Sequence, residues 1–74
     1  MAYHYDPETA LEELNEDALL PHPSNLRDMI IRARVGPTRA LELNRRFQEY
    51  IRGFGELQSI VRPILEELAE AKRR

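Results

Sequence analysis

Apolar residues recur at strictly alternating three- and four-residue spacing from Ala40 to Ala71, through Leu43, Phe47, Tyr50, Phe54, Leu57, Val61, Ile64 and Leu68. Every a and d position of the run is filled, which is the signature of an amphipathic helix whose stripe must be covered by other helices. Ile51 and Leu65 at e positions and Ile60 at a g position widen that stripe. A face that broad contacts more than one neighbour, as in a multi-helix bundle. Gly53, Gly55 and Pro63 interrupt the run chemically but leave its phase intact. Two arrangements compete: one long helix over about 39–72, kinked at Pro63, or a helical hairpin turning at Gly53-Phe54-Gly55. The unbroken phase, and the lack of a Ser, Thr, Asp or Asn cap for a restart, favour the long helix.

Upstream, two shorter helices are predicted behind a short tail over residues 1–5. Asp6-Pro7-Glu8 is a strong start, with a capping carboxylate, a proline suited to the first turn and an acid at the positive end of the dipole. Helix 1 is predicted over about 7–20, with Leu11, Leu14 and Ala18 on its buried face. Pro21-His22-Pro23 then forms a stiff linker. Ser24 or Asn25 is the expected cap of helix 2, over about 25–35, whose buried stripe is Leu26, Met29, Ile30 and Ala33. Gly36-Pro37 stops it. The fold class is therefore all-α, with a single helical domain over 6–74.

Length changes the picture. A core of 74 residues rarely supplies more than roughly 3–5 kcal/mol without a staple. The chain has no cysteine, and two separated histidines do not make a structural metal site. A 34-residue helix is about 50 Å long, whereas helices 1 and 2 together reach about 37 Å. Part of the stripe would then stay exposed in a monomer. The expectation is an oligomeric bundle, the chain pairing with itself as a homodimer or higher, or with another protein. The expected interface is Leu43, Phe47, Tyr50, Ile51, Phe54, Leu57, Val61, Ile64 and Leu68.

The net charge of −2 hides a division. Residues 1–26 carry Asp6, Glu8, Glu12, Glu13, Glu16 and Asp17 and no basic residue, whereas residues 27–62 carry eight arginines against four carboxylates. Such a split is self-complementary, within one chain or between two. Arg39, Arg45, Arg46 and Arg52 form a candidate basic patch.

Candidate chemistry is sparse. There is no cysteine nucleophile, Ser59 has no histidine near it in sequence, His22 beside Ser24 is expected as an exposed linker residue between prolines, and no Glu-x-x-His spacing suggests a bundle metal site. No cofactor and no catalytic residue are expected. The longest apolar runs are three residues, and the N-terminus has neither a basic region nor an apolar one, so a cytoplasmic protein without a membrane partner is expected. In size and in its use of arginine over lysine the chain resembles bacterial or phage accessory proteins in general style. The leading expectation is a non-catalytic adaptor, regulator or accessory subunit acting by protein–protein interaction. A nucleic-acid-binding regulator using residues 27–52 is the alternative, and a small helical enzyme stands behind both.

Overall fold

Three of the four helices begin on a proline, each preceded by a residue held in extended backbone. The computed structural model describes residues 6–53 and 55–73, which form α1 (Pro7–Asp17), α2 (Pro23–Arg32), α3 (Pro37–Arg52) and α4 (Leu57–Arg73). No strand occurs among the described residues. Proline suits a first helical position because its missing N–H would have no intrahelical acceptor there. The caps before the prolines differ. Asp6 accepts from the Thr9 N–H at 2.8 Å. His22 accepts from the Ser24 N–H through Nδ1 at 3.2 Å, and that nitrogen lies 2.6 Å from Ser24 Oγ. Gly36 offers no side chain at all.

These caps shift the expected bounds. α1 stops at Asp17, short of Leu20, because Ala18 turns left-handed at φ 53° and its N–H closes on the Glu13 and Leu14 carbonyls. α2 opens at Pro23, with His22 in the capping position expected of Ser24 or Asn25. It ends at Arg32, where Ala33 returns to extended backbone.

The larger correction concerns the long helix, which is divided. Gly53 takes φ 70° and Gly55 φ 77°, a region that L-residues reach only at a cost. The Gly53 N–H closes α3 on the Glu49 and Tyr50 carbonyls. The Glu56 carbonyl accepts the first bond of α4, from the Ile60 N–H at 3.2 Å. Preserved phase was a poor guide here, since residues 53–56 span about one helical turn of 3.6 residues. Spacing in the sequence therefore runs on across the connection, although Gly53 and Gly55 are not helical and carry no rotational phase from α3 to α4. Pro63 lies within α4, which runs through it.

Side-chain contacts at the helix ends fix the directions. Lys72 reaches Asp6 at 3.2 Å and Arg73 reaches Glu8 at 3.4 Å, while Arg62 donates to Asn15, so α1 and α4 are antiparallel. Ala71 lies beside Gly36 and Pro37, which sets α3 antiparallel to α4. Contacts run mainly from α1 to α4, α4 to α3 and α3 to α2. Shared by two neighbours, α4 supplies the driest part of the core, with Val61, Ile64, Leu65 and Leu68 at 0–1% exposure. Ala10 and Leu14 of α1, Leu26, Met29 and Ile30 of α2, and Leu43, Phe47 and Tyr50 of α3 complete it.

The hairpin removes the premise of an uncovered stripe. The radius of gyration is 11.5 Å, near the roughly 11 Å of a close-packed chain this long. The largest extent is 30 Å, against about 50 Å for an unbroken helix. α3 and α4 cover each other's apolar faces.

Candidate functional site

The residues expected to meet a partner are divided by the fold. Leu43, Phe47, Tyr50, Val61, Ile64 and Leu68 are buried in the chain's own core, and Leu57 is half-buried against it. Ile51 is left 47% exposed at the end of α3. Phe54 lies outside the described residues. The apolar surface that remains open comes from positions off the stripe. Leu41 is 73% and Ile31 66% exposed, and Leu19 and Leu20 are exposed in the α1–α2 linker.

Helical geometry explains which of these fall together. On α3, Leu41, Arg45, Gln48 and Arg52 follow at four, three and four residues, so they share one line on the face away from Leu43, Phe47 and Tyr50. All four are exposed. On α2, Ser24, Arg27 and Ile31 form the equivalent outward line, opposite Leu26, Met29 and Ile30, and they too are exposed. Each outward face therefore carries one bare aliphatic side chain among polar residues, with arginine nearby.

The expected basic patch is divided in the same way. Arg45 and Arg52 lie on the Leu41 line, whereas Arg39 and Arg46, seven residues apart, lie on a flank of α3. Glu42 Oε1 joins the two groups, with Arg45 and Arg46 each at 3.4 Å. These pairs are exposed and of small energetic consequence. Arg39 lines, with Arg34, Val35, Gly36, Pro37, Thr38 and Ala71, an open cleft of about 320 Å³. The N-terminus of α3 opens there without a side-chain cap and without an acid in its first turn.

The acidic segment is likewise only partly neutralised. Asp6 and Glu8 are taken up by Lys72 and Arg73 of α4. The Thr9 backbone N–H, helped by Lys72, holds the Asp6 carboxyl below the ordinary carboxylate range. Glu12, Glu16 and Asp17 are exposed and form no ion pair among the described residues. Their position is locally unfavourable. Glu8, Glu12 and Glu16 repeat at four-residue spacing, where like charges repel. Glu16 and Asp17 also crowd the negative end of the helix dipole, with no basic residue in the last turn.

Two described side chains, Tyr50 and Glu67, carry buried polar atoms. The Tyr50 hydroxyl is buried and donates to the Pro21 carbonyl at 2.7 Å, and burial pushes its pKa up from 10.0. Glu67 keeps one carboxylate oxygen buried with no hydrogen-bond partner among the described residues. No group of His, Asp and Glu among the described residues is arranged to hold a metal ion, and no described helix is long and apolar enough to cross a membrane.

Sequence reasoning passed over Ile31 and Leu41 because it looked for apolar residues in phase. The usable signal was the opposite, a large aliphatic residue out of phase on an otherwise polar face. No family model, curated protein or solved structure matches this chain.

Proposed function

We infer that this chain is a non-catalytic helical adaptor or regulator that docks on an acidic, partly apolar surface of another protein through the outward faces of α2 and α3. One observation carries the reading: Ile31 and Leu41 stay 66% and 73% exposed beside Arg27, Arg45 and Arg52, while the chain closes its own core elsewhere. Desolvated aliphatic anchors with arginines around them supply affinity and orientation respectively. The interface therefore moves from the heptad stripe to residues off it, and the class of function stays as expected from sequence. Photo-crosslinking from positions 31 and 41 inside the producing cell tests it. A discrete adduct that disappears in Arg45→Glu/Arg52→Glu is the expected result. Adducts equally strong from a control site at Gln58, or unaffected by the charge reversals, would sink it.

A second reading is favoured by the cleft at the start of α3. Uncapped N–H groups beside Arg34 and Arg39 suit an anionic oxygen, so a phosphate backbone is the competing partner. The sequence pI of about 5.6 weighs against it. Fluorescence anisotropy with labelled DNA and RNA decides. Binding that weakens steeply with salt and with Arg39→Glu supports this second reading, and flat titrations at low salt remove it.

A further inference from the structure

The charge division left open by the sequence is not closed inside the fold. Glu8 of α1 and its cap Asp6 pair with Lys72 and Arg73 of α4, and among the described residues no ion pair joins Glu12, Glu16 or Asp17 to an arginine of α2 or α3. Glu12 and Glu16 point outward on α1, and Arg27 and Arg52 point outward on α2 and α3. None of these four makes an ion pair among the described residues. α1 packs chiefly on α4 and α2 chiefly on α3, so the acidic and basic faces belong to separate sides of the helix arrangement.

We propose that the acidic outer face of α1 in one copy of this chain docks on the arginine-bearing outward face of α2 and α3 in a second copy. The proposal rests on the reading that the α2–α3 face is a binding surface, and it names an occupant for that face. Complementary charge selects a copy of this chain over other partners. An acidic protein would satisfy the arginines and leave Glu12 and Glu16 as they are, and so would a nucleic acid. Further copies answer both faces, each chain using its α1 face on one neighbour and its α2–α3 face on another in a head-to-tail contact. It also accounts for an α1 whose outer row repels itself and opposes its own dipole, an arrangement that an approaching cationic face relieves. Exposed ion pairs contribute little affinity alone, so the charges would set orientation and encounter rate. Apolar residues stand near both faces to be covered. Leu19 and Leu20 follow the C-terminus of α1, and Ile31 and Leu41 lie on the basic faces.

The test is the solution mass of the full chain by sedimentation equilibrium over about 10–500 μM, a range that reaches weak complexes. At low salt the mass should rise with concentration above the 8.7 kDa of one chain, and it should fall back as salt screens the contact. Glu12→Arg/Glu16→Arg and Arg45→Glu/Arg52→Glu should each weaken association by at least about tenfold while keeping wild-type helicity, because every altered side chain is exposed. Mixing the two variants should restore it, since each then supplies the face the other lacks. A chain that stays monomeric at low salt and the highest concentration overturns the proposal. So does association insensitive to either reversal, or a mixture no stronger than its components. The α1 variant separates this proposal from the reading beneath it. It should abolish self-association and leave crosslinking of another protein from position 41 intact. Loss of that crosslinking through Arg45→Glu/Arg52→Glu alone, in a chain that never self-associates, keeps the adaptor reading and discards the second copy.

Discussion

The Tyr50 hydroxyl donates to the Pro21 carbonyl at 2.7 Å, tying the last turn of α3 to the linker between α1 and α2. Both residues are buried. Pro21 is stiff and supplies an acceptor, while Tyr50 supplies a ring to the core and a donor at its tip. This single bond brings the α1–α2 linker to the same end of the molecule as the Gly53 turn.

Replacing Tyr50 by Phe removes the donor and leaves the Pro21 carbonyl buried without it. A loss of about 1–3 kcal/mol is expected, read as a lower urea midpoint with unchanged slope and far-ultraviolet helicity. Wild-type stability would show that the carbonyl finds another donor. The pH dependence has a definite sign. Burial raises the folded Tyr50 above 10.0, so its contribution is complete below about pH 10 and is lost as pH rises through the folded value. Wild type should therefore lose more stability than Tyr50→Phe in alkaline urea titrations.

Asp6 titrates with the opposite sign. Its folded carboxyl is held below 3.8, so its contribution is present above about pH 4 and is lost as pH falls through the lower, folded value. Asp6→Asn retains a capping oxygen and removes that acid dependence, whereas Asp6→Ala should cost about 0.5–2 kcal/mol at neutral pH. Equal acid slopes for wild type and Asp6→Asn would refute the assignment.

Glycine substitutions distinguish a turn from a continuous helix by the direction of the effect. Within a helix, Gly53→Ala would stabilise by about 1 kcal/mol. At φ 70° it should destabilise by about 1–2 kcal/mol, although a Cβ there meets nothing within 4 Å. Ala18 offers the mirror test, because it already occupies left-handed backbone at φ 53°. Ala18→Gly should raise stability by up to about 1 kcal/mol. Thermal or chemical melts of the two variants should move in opposite directions.

Core and surface leucines should separate cleanly. Leu65 is fully buried, so Leu65→Ala is expected to cost about 2–5 kcal/mol. Leu41→Asp should stay within about 0.5 kcal/mol of wild type because the side chain faces solvent. A large loss for Leu41→Asp would place that residue in an interface already formed in solution.

Much of the fold was legible because local chemistry and periodicity agreed. Asp6-Pro7 marked a boundary through capping and fixed φ, and the core positions of α2 and α4 followed from their spacing, whereas Gly36-Pro37, expected to stop α2, opens α3 after α2 has ended at Arg32. Legibility failed where distinct structures share a pattern. Sequence spacing counts residues and not rotation, so the three-four pattern reads the same whether residues 53–56 continue a helix or connect two. Two glycines inside a helix would each cost about 1 kcal/mol relative to alanine, a cost that a turn at Gly53 and Gly55 avoids. His22 as a cap was hidden because histidine is not among the preferred capping residues. The candidate surface was missed for a related reason. Once α3 and α4 fold together, the in-phase residues become core, and the out-of-phase Ile31 and Leu41 stay exposed.

The position of α4 also bears on how the chain is made. The helix that both α1 and α3 lean on is translated after them, and the Asp6–Lys72 contact spans 66 residues of sequence. As the nascent polypeptide leaves the ribosome, α1 emerges first and waits through most of the domain for its mate. Such late-closing, non-local contacts slow folding relative to locally paired helices. In stalled chains extended by C-terminal linkers of increasing length, proteases should cut readily while α4 is inside the exit tunnel, and protection should arrive in one step once the linker is long enough to bring Lys72 clear.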